Sequence, residues 1–131
     1  MSADADKAVY RRALHALTAR DADELRAVLA EDVLDHNPIP GQPAGAEGFV
    51  QFMEVLHGGI AEMALEIDLL LAEGGLVAGR VVWHGVHAGP LVGVPASGRR
   101  VRIPALHIVR VVDDRITEWW GHADISALSG E

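Results

Sequence analysis

The chain has 131 residues, half of them hydrophobic, with no cysteine and a net charge of −8. This is the size of one domain with enough apolar residues to build a core. It excludes a disulfide framework and thiolate metal sites, and it lacks the basic patch that nucleic acid or an anionic membrane requires. Ten of the eleven basic residues are Arg, scattered along the chain, and Lys7 is the one Lys. Acids and bases run through residues 1 to 20, so no secretory apolar core is expected there. No apolar run reaches the ~20 residues of a membrane span. A cytoplasmic setting is expected.

Residues 4 to 19 predict an amphipathic helix, with Tyr10, Ala13, Leu14 and Leu17 on one face. Ser2 or Asp4 is its expected cap. Asp21, with Glu24 three residues on, predicts a capping box for a second short helix whose buried stripe is Leu25, Val28 and Leu29. Val33 to Asn37 is a short extended piece. Pro38, Pro40, Gly41, Pro43 and Gly45 then forbid regular structure and make a stiff loop that presents Asp35, His36 and Asn37. A third helix is expected over about 45 to 58, with Phe49, Phe52, Met53 and Leu56 at helical spacing and Gly58-Gly59 at its end.

From Met63 the period changes to two. Leu65, Ile67, Leu69 and Leu71 fall on one face, Glu66 and Asp68 on the other. Glu73-Gly74-Gly75 predicts a hairpin turn into a strand over Leu76 to Ala88. There Arg80, Val82 and His84 share one face; Val81, Trp83 and His87 share the other. Arg80 is expected to pair with a carboxylate such as Glu118. A loop over Gly89 to Gly98 leads into the long hairpin Val101 to Asp124, turning at Asp113-Asp114. Val101, Ile103, Ala105, His107, Val109 and Val111 share its apolar face. In the absence of a bulge, Ile116, Glu118, Trp120, His122 and Asp124 share a face on the return strand. Pro104 implies an edge position or a bulge, and Ile125 to Glu131 is a short tail. Helices first and strands last give an α+β fold of one domain, residues 1–131, with helices on one face of a curved, mainly antiparallel sheet around a pocket.

The candidate chemistry lies around that pocket. Asp124, at a strand end, has two readings. Facing an apolar pocket, its charged form would be disfavoured by burial, which suits proton transfer at carbon beside a carbonyl. Alternatively it caps the tail near Ser126. His107 is either a satisfied core residue or a hydrogen-bond donor to a substrate carbonyl or enolate oxygen. His36 and Asn37 either hold substrate oxygens or brace their loop. Phe49, Phe52, Met53, Trp83 and Trp120 are candidate walls for a hydrophobic, flat substrate. Seven histidines show no dense ligand spacing, so no metal is expected. The glycines at 85 to 98 precede no helix and give no phosphate cradle.

Four stretches carry a resemblance: DHNPIPGQPAGAEGF (35–49), VAGRVVWHGVHAGPLVGVPASGRRV (77–101), LHIVRVVDDRITEWW (106–120) and the closing Asp124. Together they resemble the SnoaL-like polyketide cyclases, or ester cyclases, of the nuclear transport factor 2-like superfamily. The resemblance implies a cone-shaped α+β barrel and a hydrophobic polyketide-like substrate. It implies ring closure by intramolecular aldol condensation with no cofactor and no metal. It also implies Asp124 as general acid/base, with His107 and His36 in the pocket. The family's usual His-Trp pair is here Trp119-Trp120. The fold commonly pairs sheet to sheet, so a homodimer is expected by analogy. Two other readings stay open: a non-catalytic binding or dimerisation module, and epoxide hydrolysis. The latter needs an Arg and an Asp two apart on a strand, whereas Arg80 is flanked by Ala78 and Val82.

Overall fold

The computed structural model describes residues 2–129; residues 130 and 131 of the expected tail lie outside them. Helix α1 (Ala3–Ala19) starts at Ser2, whose hydroxyl accepts from the Ala5 amide. Helix α2 (Ala22–Val28) starts at Asp21, which accepts from the Glu24 amide. The reciprocal half of the expected capping box is absent, because the Glu24 carboxylate is taken by Arg12. Strand β1 (Leu29–Asp35) follows, then helix α3 (Ala46–Gly59) after the Pro-rich loop. Four strands complete the chain: β2 (Ile60–Glu73), β3 (Leu76–His87), β4 (Arg100–Val112) and β5 (Arg115–Ala123). A 3-10 turn, Ile125–Ser129, follows.

The five strands form one open mixed sheet in the order β1-β5-β4-β3-β2. β1 pairs with β5 in parallel; the other pairs are antiparallel. Tyr10, Ala13, Leu14 and Leu17 of α1, Phe49 and Met53 of α3, and Val77, Val81, Ala105 and Val109 of the sheet share one core. Helices therefore cover one sheet face, as the element order implies, and their apolar stripe is what holds them there.

Two bulges change the expected faces. On β2, Ile67 pairs with Val81 but Leu69 pairs with Arg80, so Asp68 is an extra residue. Leu65 and Ile67 face the core as expected; beyond the bulge Leu70 and Ala72 do so, while Leu69 and Leu71 are exposed. On β5, Ile116 pairs with Val111 but Glu118 pairs with Arg110, so Thr117 is extra. Ile116 and Trp119 are consequently buried, and Glu118 and Trp120 lie on the other side. A single inserted residue reverses every later side chain, which is why Trp119 faces in and Trp120, expected on the pocket wall, faces out.

Two further expectations are corrected. Arg80 pairs with Asp68 at 2.8 Å, not with Glu118, because Asp68 lies on the outer face and the bulge brings Leu69, the next residue, opposite Arg80. Pro104 lies in a central strand and in unbroken register with Val82. Its carbonyl accepts from the Asp124 amide, so its amide side faces the place where β5 ends. The donor that proline lacks is thus missing only at the last rung of the ladder.

Candidate functional site

The site grows from the inner faces of β4 and β5 and the buried stripe of α1. Tyr10 is completely buried, and its hydroxyl lies 2.8 Å from His107 Nδ1. Gly79, on β3, leaves room for it: a β-carbon there would lie 2.4 Å from the Tyr10 hydroxyl oxygen. The direction of the hydrogen bond follows from what each group has available. The Tyr10 proton needs an acceptor, and Nδ1 is the acceptor beside it; were Nδ1 protonated, the phenol proton would be buried unpaired. Tyr10 therefore donates to Nδ1, and the neutral imidazole carries its proton on Nε2. Burial pushes the Tyr10 hydroxyl above its ordinary value and pushes His107 down to about 4. His107 is uncharged at neutral pH, a donor without a formal charge.

An apolar cavity of about 340 Å³ opens between this pair and the helices. Phe49, Phe52, Met63, Trp83, Leu91 and Ile103 are among its walls, and His107, Trp119 and Gly121 lie on it. Trp119 packs between Tyr10 at 6.0 Å, Phe49 at 5.3 Å and His107 at 5.1 Å between ring centroids. Asp35, at the end of β1, and Asn37 and Gln42, of the Pro-rich loop, also line the cavity. Among the described residues, Asp35 is the one acidic residue on this lining. One of its oxygens accepts from the Asn37 amide and the other from Gln42 Nε2, each at 2.9 Å. Asn37 is braced in turn, its Oδ1 accepting from the Gly121 amide.

The residues singled out in the sequence divide into two groups. His107, Asn37, Phe49, Phe52 and Trp83 are on the cavity. Met53 is buried in the core and is absent from the lining. His36 and Trp120 stack on each other 4.4 Å apart and nearly parallel, away from the cavity. His36 Nε2 lies 3.0 Å from Glu118, which also accepts from Arg110 at 2.8 Å. The His36 and Arg110 hydrogen bonds hold the Glu118 carboxyl below its usual range.

Asp124 is exposed and does not line the cavity. Its Oδ1 accepts from the Ser126 amide at 3.1 Å and from the Ser126 hydroxyl at 2.5 Å. This is the tail-capping arrangement, and the burial that would disfavour its charge is missing. The reason is parity: β5 turns Gly121 and Ala123 inward, so the next residue points out. Asp35 and Tyr10 carry no local signal in the sequence for a place at this site. The sequence places Asp35 before the stiff loop and Tyr10 on the buried stripe of the first helix, and only the tertiary fold brings Tyr10 to a residue 97 positions away.

Fold and site together define a small α+β cone whose curved sheet and N-terminal helices enclose an apolar cavity with a neutral histidine on its wall. Residues 7–130 match the family model for the SnoaL-like polyketide cyclase, and the chain belongs to this family. It is similar to the aklanonic acid methyl ester cyclase DauD of Streptomyces sp. (strain C5), at 31% identity over 116 residues, spanning 84% of this chain and 70% of that one. It is similar also to the aklanonic acid methyl ester cyclase DnrD of Streptomyces peucetius, at 34% identity over 86 residues, 65% of this chain and 57% of the relative. The structure of TsrD from Streptomyces laurentii superposes with a TM-score of 0.89 at 24% identity, covering 99% of this chain and 96% of that one. That likeness establishes the fold.

Proposed function

We propose that this chain is a cofactor-independent cyclase that closes a ring in a hydrophobic, polyketide-like carbonyl compound by intramolecular aldol addition. The observation that carries the reading is the apolar cavity with neutral His107 on its wall and a carboxylate, Asp35, on the same lining. In the proposed step a carboxylate removes a proton from carbon beside a carbonyl. His107 Nε2–H donates to the oxygen on which the enolate charge develops. The carbanion adds to a second carbonyl, and the proton returns to the new alkoxide. The resemblance assigns the carboxylate to Asp124; position favours Asp35, because Asp124 is turned outward and bonded to Ser126.

The test is incubation with aklanonic acid methyl ester, the substrate class named for the two relatives, followed by chromatography and mass spectrometry. The account expects a product of unchanged mass and altered retention, formed without added metal or cofactor. Binding of the compound with no isomer formed would instead support a binding module. Epoxide hydrolysis finds no support around Arg80, which faces outward and holds Asp68.

The reading includes a cytoplasmic homodimer. Supporting the dimer, the uncovered sheet face carries two adjoining rows across its strands, Leu71-Ala78-Ile108-Trp120 and Leu69-Arg80-Leu106-His122. Leu69, Leu71, Leu106 and Ile108 are 46 to 59% exposed, and an apolar patch of this kind suits a self-complementary contact.

A further inference from the structure

Gly121 lies opposite His107 in the β4–β5 register and faces the cavity. A β-carbon at Gly121 would sit 3.1 Å from Trp119 Nε1 and 3.2 Å from His107 Cδ2. The missing side chain therefore leaves a notch. One wall is the N–H edge of the Trp119 indole, and the other is the Cδ2–Nε2 edge of the His107 ring. Tyr10 occupies Nδ1 of that ring, which leaves the Nε2 proton available. Among the described residues the aromatic rings beside Trp119 are Tyr10, Phe49 and His107, and its Nε1 makes no hydrogen bond to the protein. Two N–H donors on an apolar cavity thus border the same small space.

We propose that the space over Gly121 is a binding subsite for a carbonyl or enolate oxygen, held jointly by Trp119 Nε1–H and His107 Nε2–H. The proposal deepens the reading above and rests on the cavity being the substrate site. Two neutral donors favour an oxygen that gains negative charge during the reaction, since hydrogen bonds strengthen as the acceptor becomes charged. Gly121 then decides specificity, because any side chain there fills the notch. Trp119 has a polar task as well as a packing one, and it is set by the Thr117 bulge that turns the indole inward.

The test uses a matched pair of flat compounds, 2-acetylnaphthalene and 2-isopropenylnaphthalene, which differ in a carbonyl oxygen against a methylene group. Calorimetry gives their affinities, and infrared spectroscopy gives the carbonyl stretch of the bound ketone. The wild-type protein should prefer the ketone by about tenfold, the worth of one to two hydrogen bonds, with a lowered carbonyl stretch. Trp119→Phe should remove most of that preference while still binding the alkene. Gly121→Ala, which keeps the indole, should weaken the ketone more than the alkene. Equal affinities for the pair in the wild type, or equal weakening of both by Trp119→Phe with an unmoved carbonyl stretch, would overturn the notch and leave the apolar cavity standing. Failure of both compounds to bind would overturn the notch together with the reading of the cavity.

Discussion

Replacing Tyr10 with Phe removes one oxygen and keeps the ring, so it isolates the hydrogen bond that fixes His107. The hydroxyl lies 2.8 Å from Nδ1 in a fully buried position. Its loss leaves a buried ring nitrogen without a partner, a cost of about 1–3 kcal/mol. A domain of this size gains roughly 0.28 kcal/mol per kelvin of unfolding entropy at its midpoint, so Tm should fall by about 4–11 °C. Urea denaturation should show the same loss with an unchanged slope. The second consequence is chemical. Nitrogen-15 spectra of the wild type should show His107 as the Nε2–H tautomer over the whole neutral range. In Tyr10→Phe the two tautomers should mix, because nothing then holds the proton on Nε2. A variant within 0.5 kcal/mol of wild type by the scale of an ordinary surface change, with the His107 signals unmoved, would refute the assignment of donor and acceptor.

Stability should also depend on pH through His107. Its folded value is depressed to about 4 from 6.5, so between those values the unfolded chain binds the extra proton. Stability is then complete above about pH 6.5 and declines as pH falls towards 4, by on the order of 3 kcal/mol at the limit; His107→Gln should flatten this part of the profile in denaturation series across pH. Leu106→Asp places a charge in the middle of the exposed apolar rows, and sedimentation velocity should show a dimer becoming a monomer with the fold unchanged by circular dichroism; a wild-type monomer would contradict the proposed pairing.

The inner face of the long hairpin was legible because period two is the direct signature of a half-buried strand. Val101 to Val111 hold it without interruption, and His107 stands out as the polar exception. Helix starts at Ser2 and Asp21 were legible because a cap is a local hydrogen bond. The glycine and aspartate turns were legible for the same reason. The bulges at Asp68 and Thr117 were not. Neither residue carries a local signal for an extra strand position; the partner strand's register decides it. That omission misassigned Trp120, which stacks on His36 outside the cavity while Trp119 faces in. Asp124 took its expected role from the resemblance, while the alternative drawn from its own neighbours, a cap on Ser126, is what the structure shows. Asp35 makes a turn hydrogen bond with the Asn37 amide, but the sequence could not reveal that the end of β1 lays it on the cavity.

The central claim is that this cavity moves a proton at carbon beside a carbonyl, with Asp35 as the base and His107 as the donor to oxygen. The most direct measurement is deuterium uptake from heavy water into the carbon beside the carbonyl of bound 2-acetylnaphthalene, followed by proton NMR. The account predicts uptake catalysed by the wild type, lost in Asp35→Asn and retained in Asp124→Asn. No catalysed uptake by the wild type, or uptake that survives Asp35→Asn and disappears in Asp124→Asn, would contradict it.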